Sequence, residues 1–300
     1  MSDYHTSVLL HESVDGLAIK PDGVYVDVTF GGGGHSRLIL EKLGPNGKLF
    51  AFDQDADAQK NIWDDARLTL IPQNFRYLKN SLRMYGAKEV DGILADLGVS
   101  SHQFDVAERG FSTRFDADLD MRMNQSASKS AKDIVNEYAE IDLKKMLWAY
   151  AELKNSGRVA GAICAARAYR PITTIAELKE ATIDCAPKFK ENRFYAQLFQ
   201  AIRIEVNEEM QVLKEMLEQT SDVLKPGGRL SVIAYHSLED RLVKHFMRYG
   251  NFEGEPQKDF YGNLIAPFKP VNRKPLIPNE AEIESNNRAR SAKLRVSDRV

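Results

Sequence analysis

The stretch Asp27-Val28-Thr29-Phe30-Gly31-Gly32-Gly33-Gly34-His35-Ser36 constrains the fold most, because a strand pattern there runs directly into a glycine cluster. Val24, Val26 and Val28 alternate with Tyr25 and Asp27, the period of a short buried strand. After the glycines, Ser36-Arg37-Leu38-Ile39-Leu40-Glu41-Lys42-Leu43 carries apolar residues at helical spacing. The unit reads strand, tight turn, helix. Glycine lets the backbone approach a ligand closely, and a helix N-terminus offers unpaired N–H groups and a partial positive charge to an anion.

A dinucleotide fingerprint calls for a third glycine three residues after Gly33, where this chain has Ser36, so the pyrophosphate-binding version is incomplete. The next strand pattern, Lys48-Leu49-Phe50-Ala51-Phe52, ends in Asp53. An acid about twenty residues past the glycines accepts hydrogen bonds from both hydroxyls of a ribose. Asp27 before the turn, Gly31 and Gly33 within it and Asp53 after the second strand form the pattern that class I methyltransferases use for S-adenosylmethionine. The competing reading is a tight turn with an incidental aspartate.

Further strand patterns follow at Leu68-Thr69-Leu70-Ile71, with Asn74-Phe75 just beyond, and at Gly92-Ile93-Leu94-Ala95, ending at Asp96. Helix-like stretches between them imply right-handed crossovers and a parallel sheet, whose ligands sit at the C-terminal strand edge. Gly31 to His35, Asp53, Phe75 and Asp96 all fall at that edge. Past Asp96, Leu97 to Asp105 and Gly110 to Met123 form a long aromatic and polar connection without clean period, which reads as functional. From Ser130 the chain turns helical, with capping-box spacing at Ser130/Asp133 and Thr174/Glu177, prolines at 171 and 187, and no strand signal between about 125 and 200. Helices are expected over Arg193 to Met210 and Glu208 to Leu224, a turn at Lys225-Pro226-Gly227-Gly228, and a strong strand over Arg229 to Ala234 that runs into Tyr235 to Arg241. A proline-rich, mixed-charge tail spans about 251 to 290, and Ala292 to Val296 suits a last strand. The expected fold is therefore α/β, a sheet domain over 1–110 and 203–300 interrupted by an all-helical insertion over 111–202.

Forty-one Lys and Arg against 43 Asp and Glu leave a net charge of −2, which argues against coating nucleic acid by bulk electrostatics. Local basic groups exist: Arg158, Arg167, Arg170, Lys188, Lys190, Arg193 and Arg203 in one region, and Arg288, Arg290, Lys293, Arg295 and Arg299 at the C-terminal end. They are either solvated faces or a polyanion site. Two cysteines, Cys164 and Cys185, make neither a metal spacing nor a disulfide framework, pointing to a reducing, cytoplasmic setting. No run approaches eighteen apolar residues, so no membrane span is expected. The six histidines form no ligand spacing with acids or cysteines, so no catalytic metal is expected.

The blocks HTSVLLHESV, DVTFGGGGHSRLIL, ILADLGVSSHQFD, ERGFS, LDMRM, RFYAQLFQAIRIEVNEEM, LKPGGRLSVIAYHSLEDRLVK and NNRARSAKLR, in this order from residue 5 to residue 295, resemble the ribosomal RNA small subunit methyltransferase H family, also called MraW. Gly32 stands where many relatives carry Arg or Ala, and Asn124 where Asp is common. The resemblance implies a Rossmann-like class I methyltransferase domain interrupted by a helical substrate-recognition domain. It implies methyl transfer from S-adenosyl-L-methionine to the exocyclic N4 amine of one cytidine in the decoding region of small-subunit ribosomal RNA. By the same resemblance the cofactor is held by Gly33, Gly34, His35, Asp53, Phe75, Asp96 and Gln103.

Methyl transfer is an in-line displacement at a carbon activated by sulfonium, so the protein has chiefly to position the nucleophile. A cytosine amine is a poor nucleophile, its lone pair being delocalised into the ring. Acceptors on its N–H groups favour pyramidalisation and take up the positive charge that develops. Asp96 and its neighbouring carbonyl suit that role; the resemblance instead assigns the same carboxylate to the cofactor. Base-amine methyltransferases often carry Asp-Pro-Pro-Tyr at this strand end, whereas here the run is Asp96-Leu97-Gly98-Val99. A stacking ring for a flipped base must then come from Phe104, Phe111 or Tyr235, each of which also reads as core. His236 and Ser237 close the last strong strand as further catalytic candidates, His236 orienting the base, accepting a proton or serving structure, while Glu239-Asp240-Arg241 reads as an ion-paired helix start. Arg193, Arg203, Arg288, Arg290 and Arg295 are candidate phosphate contacts. A near-neutral protein with local basic patches suits an assembled small subunit better than naked RNA; monomer and homodimer both remain open. Two rivals share the fold: a nicotinamide-dependent oxidoreductase, disfavoured by Ser36, and a noncatalytic ribosome-assembly factor, disfavoured by the intact Asp27, Gly33, Asp53 and Asp96 set.

Overall fold

The computed structural model describes residues 7–300 and divides into two compact units, Met1–Gly98 with Met210–Val300, and Val99–Glu209. The first is built on a seven-stranded sheet: β1 (Val24–Asp27), β2 (Lys48–Phe52), β3 (Leu68–Ile71), β4 (Val90–Asp96), β5 (Leu224–Ala234), β6 (Phe268–Pro270) and β7 (Lys293–Arg299), in the order β3-β2-β1-β4-β5-β7-β6. The β3-β2-β1-β4-β5 portion is parallel, and β7 runs antiparallel between β5 and β6.

Alternation along the strands is what covers both faces. Val26, Phe50, Phe52, Ile93, Ala95 and Val232 share one apolar cluster with Leu213, Met216 and Leu217 of helix Glu209–Val223 and with Val243, Phe246 and Met247 of helix Ser237–Tyr249. Their neighbours Tyr25, Leu49 and Leu94 form a second cluster with Val14 and Leu17, and with Ile39 and Leu40 of helix Gly34–Lys42. Each buried Val, Leu, Ile, Phe and Met among them contributes about 1.5–3 kcal/mol relative to exposure. Arg67 closes the C-terminal end of helix Gly34–Lys42 by donating Nη1 to the carbonyls of Leu40 and Leu43 at 2.9 and 2.8 Å.

The expected turn at Lys225 to Gly228 is instead an irregular part of β5. Val90 pairs with Leu224 and Gly92 already with Arg229, so the extra residues bulge out, with Gly227 at φ 75°. Asp91 anchors that end of the sheet, accepting from the Val24 amide at 3.0 Å and from Lys225 Nζ at 2.8 Å. The tail at 251–290 is also more ordered than its composition suggests: it contains β6, whose one buried residue, Phe268, between prolines 267 and 270 carries no readable period, and helix Glu280–Ser285.

The second unit contains no named strand among the described residues. Its core gathers Ile134, Leu143, Leu147, Val159, Ile163, Leu178, Phe194, Leu198 and Ile202 from successive helices. Both capping boxes read from sequence are present, Ser130 with Asp133 and Thr174 with Glu177. The connection after Asp96 belongs to this unit because its apolar side chains do: Phe111, Leu119 and Met121 are buried in the helical core. Unit boundaries thus fall at 98/99 and 209/210, compared with 110/111 and 202/203 from the sequence. Helix Glu191–Val206 ends at Asn207, and Glu208 adopts φ 50° before the next helix begins. No helix of the described residues is long and apolar enough to cross a membrane.

Candidate functional site

The C-terminal ends of β1, β2 and β4 carry Asp27, Asp53 and Asp96, and each carboxylate has a different task. Asp27 is fully buried. Its Oδ1 accepts the Thr29 amide at 3.0 Å and its Oδ2 the Ser36 hydroxyl at 2.7 Å, so it ties the glycine turn to the helix that follows. Ser36, the residue that breaks the dinucleotide fingerprint, is thereby part of the turn. Thr29 Oγ1 in turn accepts the Asp96 amide at 2.7 Å, joining the turn to the end of β4.

Gly33 caps helix Gly34–Lys42 at φ 77°, with no side chain closing the first turn. A Cβ at Gly33 would lie 2.6 Å from the Trp63 ring, and one at Gly34 2.1 Å from Ser7 Oγ. Trp63 itself stacks on Phe30 at 5.7 Å between centroids and lies under the Arg37 guanidinium at 3.8 Å. The turn is therefore packed from behind by an aromatic stack that the sequence pattern did not signal.

Asp53 Oδ2 accepts the Gly31 amide at 2.8 Å and Oδ1 the Asp55 amide at 2.8 Å. Burial pushes its carboxyl up to about 6, although these two amides pull the other way. A carboxylate has about four acceptor positions, and two are used here, which leaves capacity for a diol. Phe75 opens the short turn after β3 and packs against the sheet. Its neighbour Asn74 donates to Gln54 Oε1 at 2.9 Å, tying this turn to the residue after Asp53.

Asp96 keeps 22% of its side chain open. Its Oδ1 accepts the Tyr235 hydroxyl at 2.7 Å, and its Oδ2 lies 3.9 Å from Nδ1 of buried His35, whose other ring nitrogen is 3.2 Å from the Val8 carbonyl. Burial raises the Asp96 carboxyl to about 6 against the pull of His35 and Tyr235. His236 is the N-cap of helix Ser237–Tyr249, its Nδ1 accepting the Glu239 amide at 3.4 Å while Glu239 Oε2 reaches back to the amides of Tyr235 and His236. His236 Nε2 is buried 3.2 Å from Glu239 Oε1 but out of hydrogen-bond alignment. Ser237 is the first residue of that helix.

Gly33, Gly34, His35, Asp53, Phe75, Asp96, His236 and Ser237 thus belong to one unit, on or beside the same sheet edge. Gln103 belongs to the helical unit, where its Oε1 accepts the Ser100 amide at 3.1 Å in a capping box. Several candidates take the structural one of their two readings. Phe111 is buried in the helical core with Phe104 packed against it, and the Tyr235 hydroxyl is bound to Asp96. Arg295 pairs with Asp240 at 2.7 Å, with Lys293 3.4 Å from the same carboxylate, which makes the ion-paired helix start. Arg203 is held in a two-point pair by Glu209 at 2.8 and 2.9 Å. The motif residues Arg109, Asp120, Arg122 and Asn207 lacked a signal of their role: they knit the loop of the helical unit. Arg109 Nη2 donates to the carbonyls of Arg122 and Met123, Arg122 pairs with Asp120 at 2.6 Å, and Asn207 holds both Met121 and Met123.

Comparison with known proteins agrees with this geometry. The sequence profile described as the MraW methylase family matches residues 2–300. The ribosomal RNA small subunit methyltransferase H of Christiangramia forsetii is 62% identical over 300 residues, covering 100% of this chain and 99% of that protein. The protein of the same name from Flavobacterium johnsoniae is 62% identical over 298 residues, covering 99% and 98%, and that from Parabacteroides distasonis 56% over 300 residues, covering 100% and 98%. With a glycine turn and the carboxylates of Asp53 and Asp96 on one parallel-sheet edge, the chain belongs to the MraW methylase family, methyltransferases that use S-adenosylmethionine.

Proposed function

We propose that this protein methylates the exocyclic N4 amine of a specific cytidine in the decoding region of small-subunit ribosomal RNA, acting in the cytoplasm on an assembled small subunit. Support for the ribosomal substrate comes from relatives that carry that name over their whole length. The observation that carries the chemistry is Asp96, a carboxylate open on one side, gripped by Tyr235 and facing His35 at the sheet edge that also holds the glycine turn.

The residues present suit S-adenosylmethionine. The uncapped first turn at Gly33 and Gly34 offers backbone N–H groups to its carboxylate end, Asp53 has unused acceptor capacity for the ribose hydroxyls, and Phe75 offers an apolar edge to the adenine. His35 and Gln103 complete the assigned set. The bound cofactor supplies a methyl group on sulfonium, with a neutral thioether as leaving group. Asp96 accepts an N–H of the target amine, so positive charge building on nitrogen meets a carboxylate, and the proton released on methylation has an acceptor at Asp96 Oδ2. Tyr235 holds Oδ1, while Oδ2 lies 3.9 Å from His35 Nδ1. His236 and Ser237, closing β5, are assigned to orient the base.

Transfer of labelled methyl from S-adenosylmethionine to small subunits lacking the modification, compared between the unmodified protein and Asp53→Ala and Asp96→Ala, tests the reading. Label recovered as N4-methylated cytidine and lost in both variants supports it. Cofactor binding without label in subunits or free ribosomal RNA would sink the substrate assignment.

A further inference from the structure

The segment 257–265 is a small hairpin built to display two aromatic rings. Its ends pair through Lys258 and Leu264, with the Asp259 amide donating to the Asn263 carbonyl at 2.9 Å and the Ile265 amide to the Gln257 carbonyl at 2.8 Å. Asp259 fixes the tip from inside: Oδ1 accepts the amides of Tyr261 and Asn263 at 2.9 and 2.8 Å, and Oδ2 accepts Asn263 Nδ2 at 3.1 Å. Gly262 turns the chain at φ 85°. At this tip Phe260 is 98% and Tyr261 86% exposed, their rings edge to face at 5.7 Å, so each keeps a face open to solvent. A turn held by this many bonds has little ordering entropy left to lose on binding.

The charge along this part of the chain changes sign at the hairpin, with exposed Glu253 and Glu255 before it and a basic excess from Lys258 onward. From Gln257 to Lys274 the chain carries Lys258, Lys269, Arg273 and Lys274 against a single acid, Asp259, whose oxygens are engaged in the turn. All four cations are exposed, and none makes an ion pair among the described residues. Exposed aromatic faces flanked in sequence by unpaired cations, on an otherwise near-neutral chain, match the needs of an unpaired polynucleotide: bases stack on the rings and phosphates meet the cations. An apolar protein partner would have no use for the cations. We propose that the Phe260–Tyr261 hairpin is a second RNA contact, outside the methyl-transfer edge, that stacks on unpaired bases of single-stranded ribosomal RNA. The proposal rests on the ribosomal RNA reading given above and adds to it a named binding element.

Retention of polyuridylate and of protein-free small-subunit ribosomal RNA is measured for the unmodified protein and three double variants: Phe260→Ala/Tyr261→Ala, Phe260→Leu/Tyr261→Leu and Phe260→Trp/Tyr261→Trp. Loss of stacking is expected to weaken polyuridylate binding about tenfold or more in the alanine and leucine variants, while tryptophan retains it, because stacking needs a π-face and not merely apolar bulk. Lys269→Ala and Lys274→Ala are each expected to reduce the slope of log affinity against log salt by about one. Cofactor affinity and thermal midpoint stay unchanged throughout, since these side chains are exposed. Alanine variants that bind polyuridylate as tightly as the unmodified protein overturn the proposal; so does full binding by the leucine variant, which marks an apolar protein-docking tip instead. Polyuridylate binding is scored without catalysis, so this result stands or falls apart from whether the protein methylates ribosomal RNA.

Discussion

The Tyr235 hydroxyl donates to Asp96 Oδ1 at 2.7 Å, linking the ends of neighbouring parallel strands β4 and β5 through the carboxylate assigned to the target amine. Tyr235 itself is pushed far above the ordinary phenol range by burial and by the Asp96 charge, so it stays protonated and is always the donor.

That bond sets a pH dependence. Burial places the Asp96 carboxyl at about 6, with the Tyr235 hydrogen bond holding it lower than burial alone would. The ionised form is the acceptor, so methyl transfer falls as pH drops through about 6. Tyr235→Phe removes a hydrogen bond to a charged group, about 1.5–3 kcal/mol, and so moves the acid limb up by about one to two pH units. A pH profile of kcat/KM for both proteins checks this; an acid limb that stays in place would separate Asp96 ionisation from the reaction.

Asp53 predicts a separate effect on cofactor binding. Its carboxyl is also raised to about 6 by burial, and its acceptor capacity is greatest when ionised. Affinity for S-adenosylmethionine should therefore weaken as pH falls through about 6, and Asp53→Asn should weaken it about tenfold or more at neutral pH. Calorimetric titration across the range reads both; a flat affinity in the unmodified protein would mean Asp53 does not meet the ribose.

What was legible in the sequence tracks how local the physics is. Strands β2 and β3 and both capping boxes follow from period and from side chains three residues apart, so their positions are readable directly. The edge residues Asp53 and Asp96 follow because a parallel sheet puts ligands at one end of its strands. Contacts that join distant segments left no local trace: Trp63 behind Gly33, Tyr235 on Asp96, and Arg295 on Asp240 need the fold before they can be seen. The aromatics after Asp96 kept both readings open for the same reason, since a core residue in an irregular loop has no period, and Phe111 looks the same in sequence whether it is displayed or buried.

Gly33 meets two demands at once, a φ of 77° and a Cβ position 2.6 Å from Trp63. Gly33→Ala should strain the backbone by about 1–2 kcal/mol and displace the Trp63 ring from Phe30 and Arg37. Expected together are a lower thermal midpoint, weaker cofactor binding and a shifted tryptophan emission. Trp63→Leu/Gly33→Ala relieves the ring contact but not the φ, so it should recover only part of the stability; full recovery would show that the backbone conformation costs nothing.

Asn207 makes the most specific prediction in the helical unit. Its Nδ2 donates to the carbonyls of Met121 and Arg203 at 2.8 and 2.9 Å, and its Oδ1 accepts the Met123 amide at 2.8 Å. Met121 is held at φ 61° with its side chain fully buried, a conformation that a non-glycine residue keeps only when its surroundings impose it. Asn207→Ala leaves one donor and one acceptor of the 121–123 loop unpaired and should cost about 2–4 kcal/mol. Asn207→Asp keeps the acceptor for Met123 but loses the donor to Met121, so it separates the two bonds. Hydrogen exchange at the Met123 amide should be fast in the alanine variant and slow in the aspartate variant, while exchange in the strands of the sheet unit is unchanged. Equal protection of Met123 in all three proteins would mean that Arg109 alone holds the loop, through its bonds to the carbonyls of Arg122 and Met123.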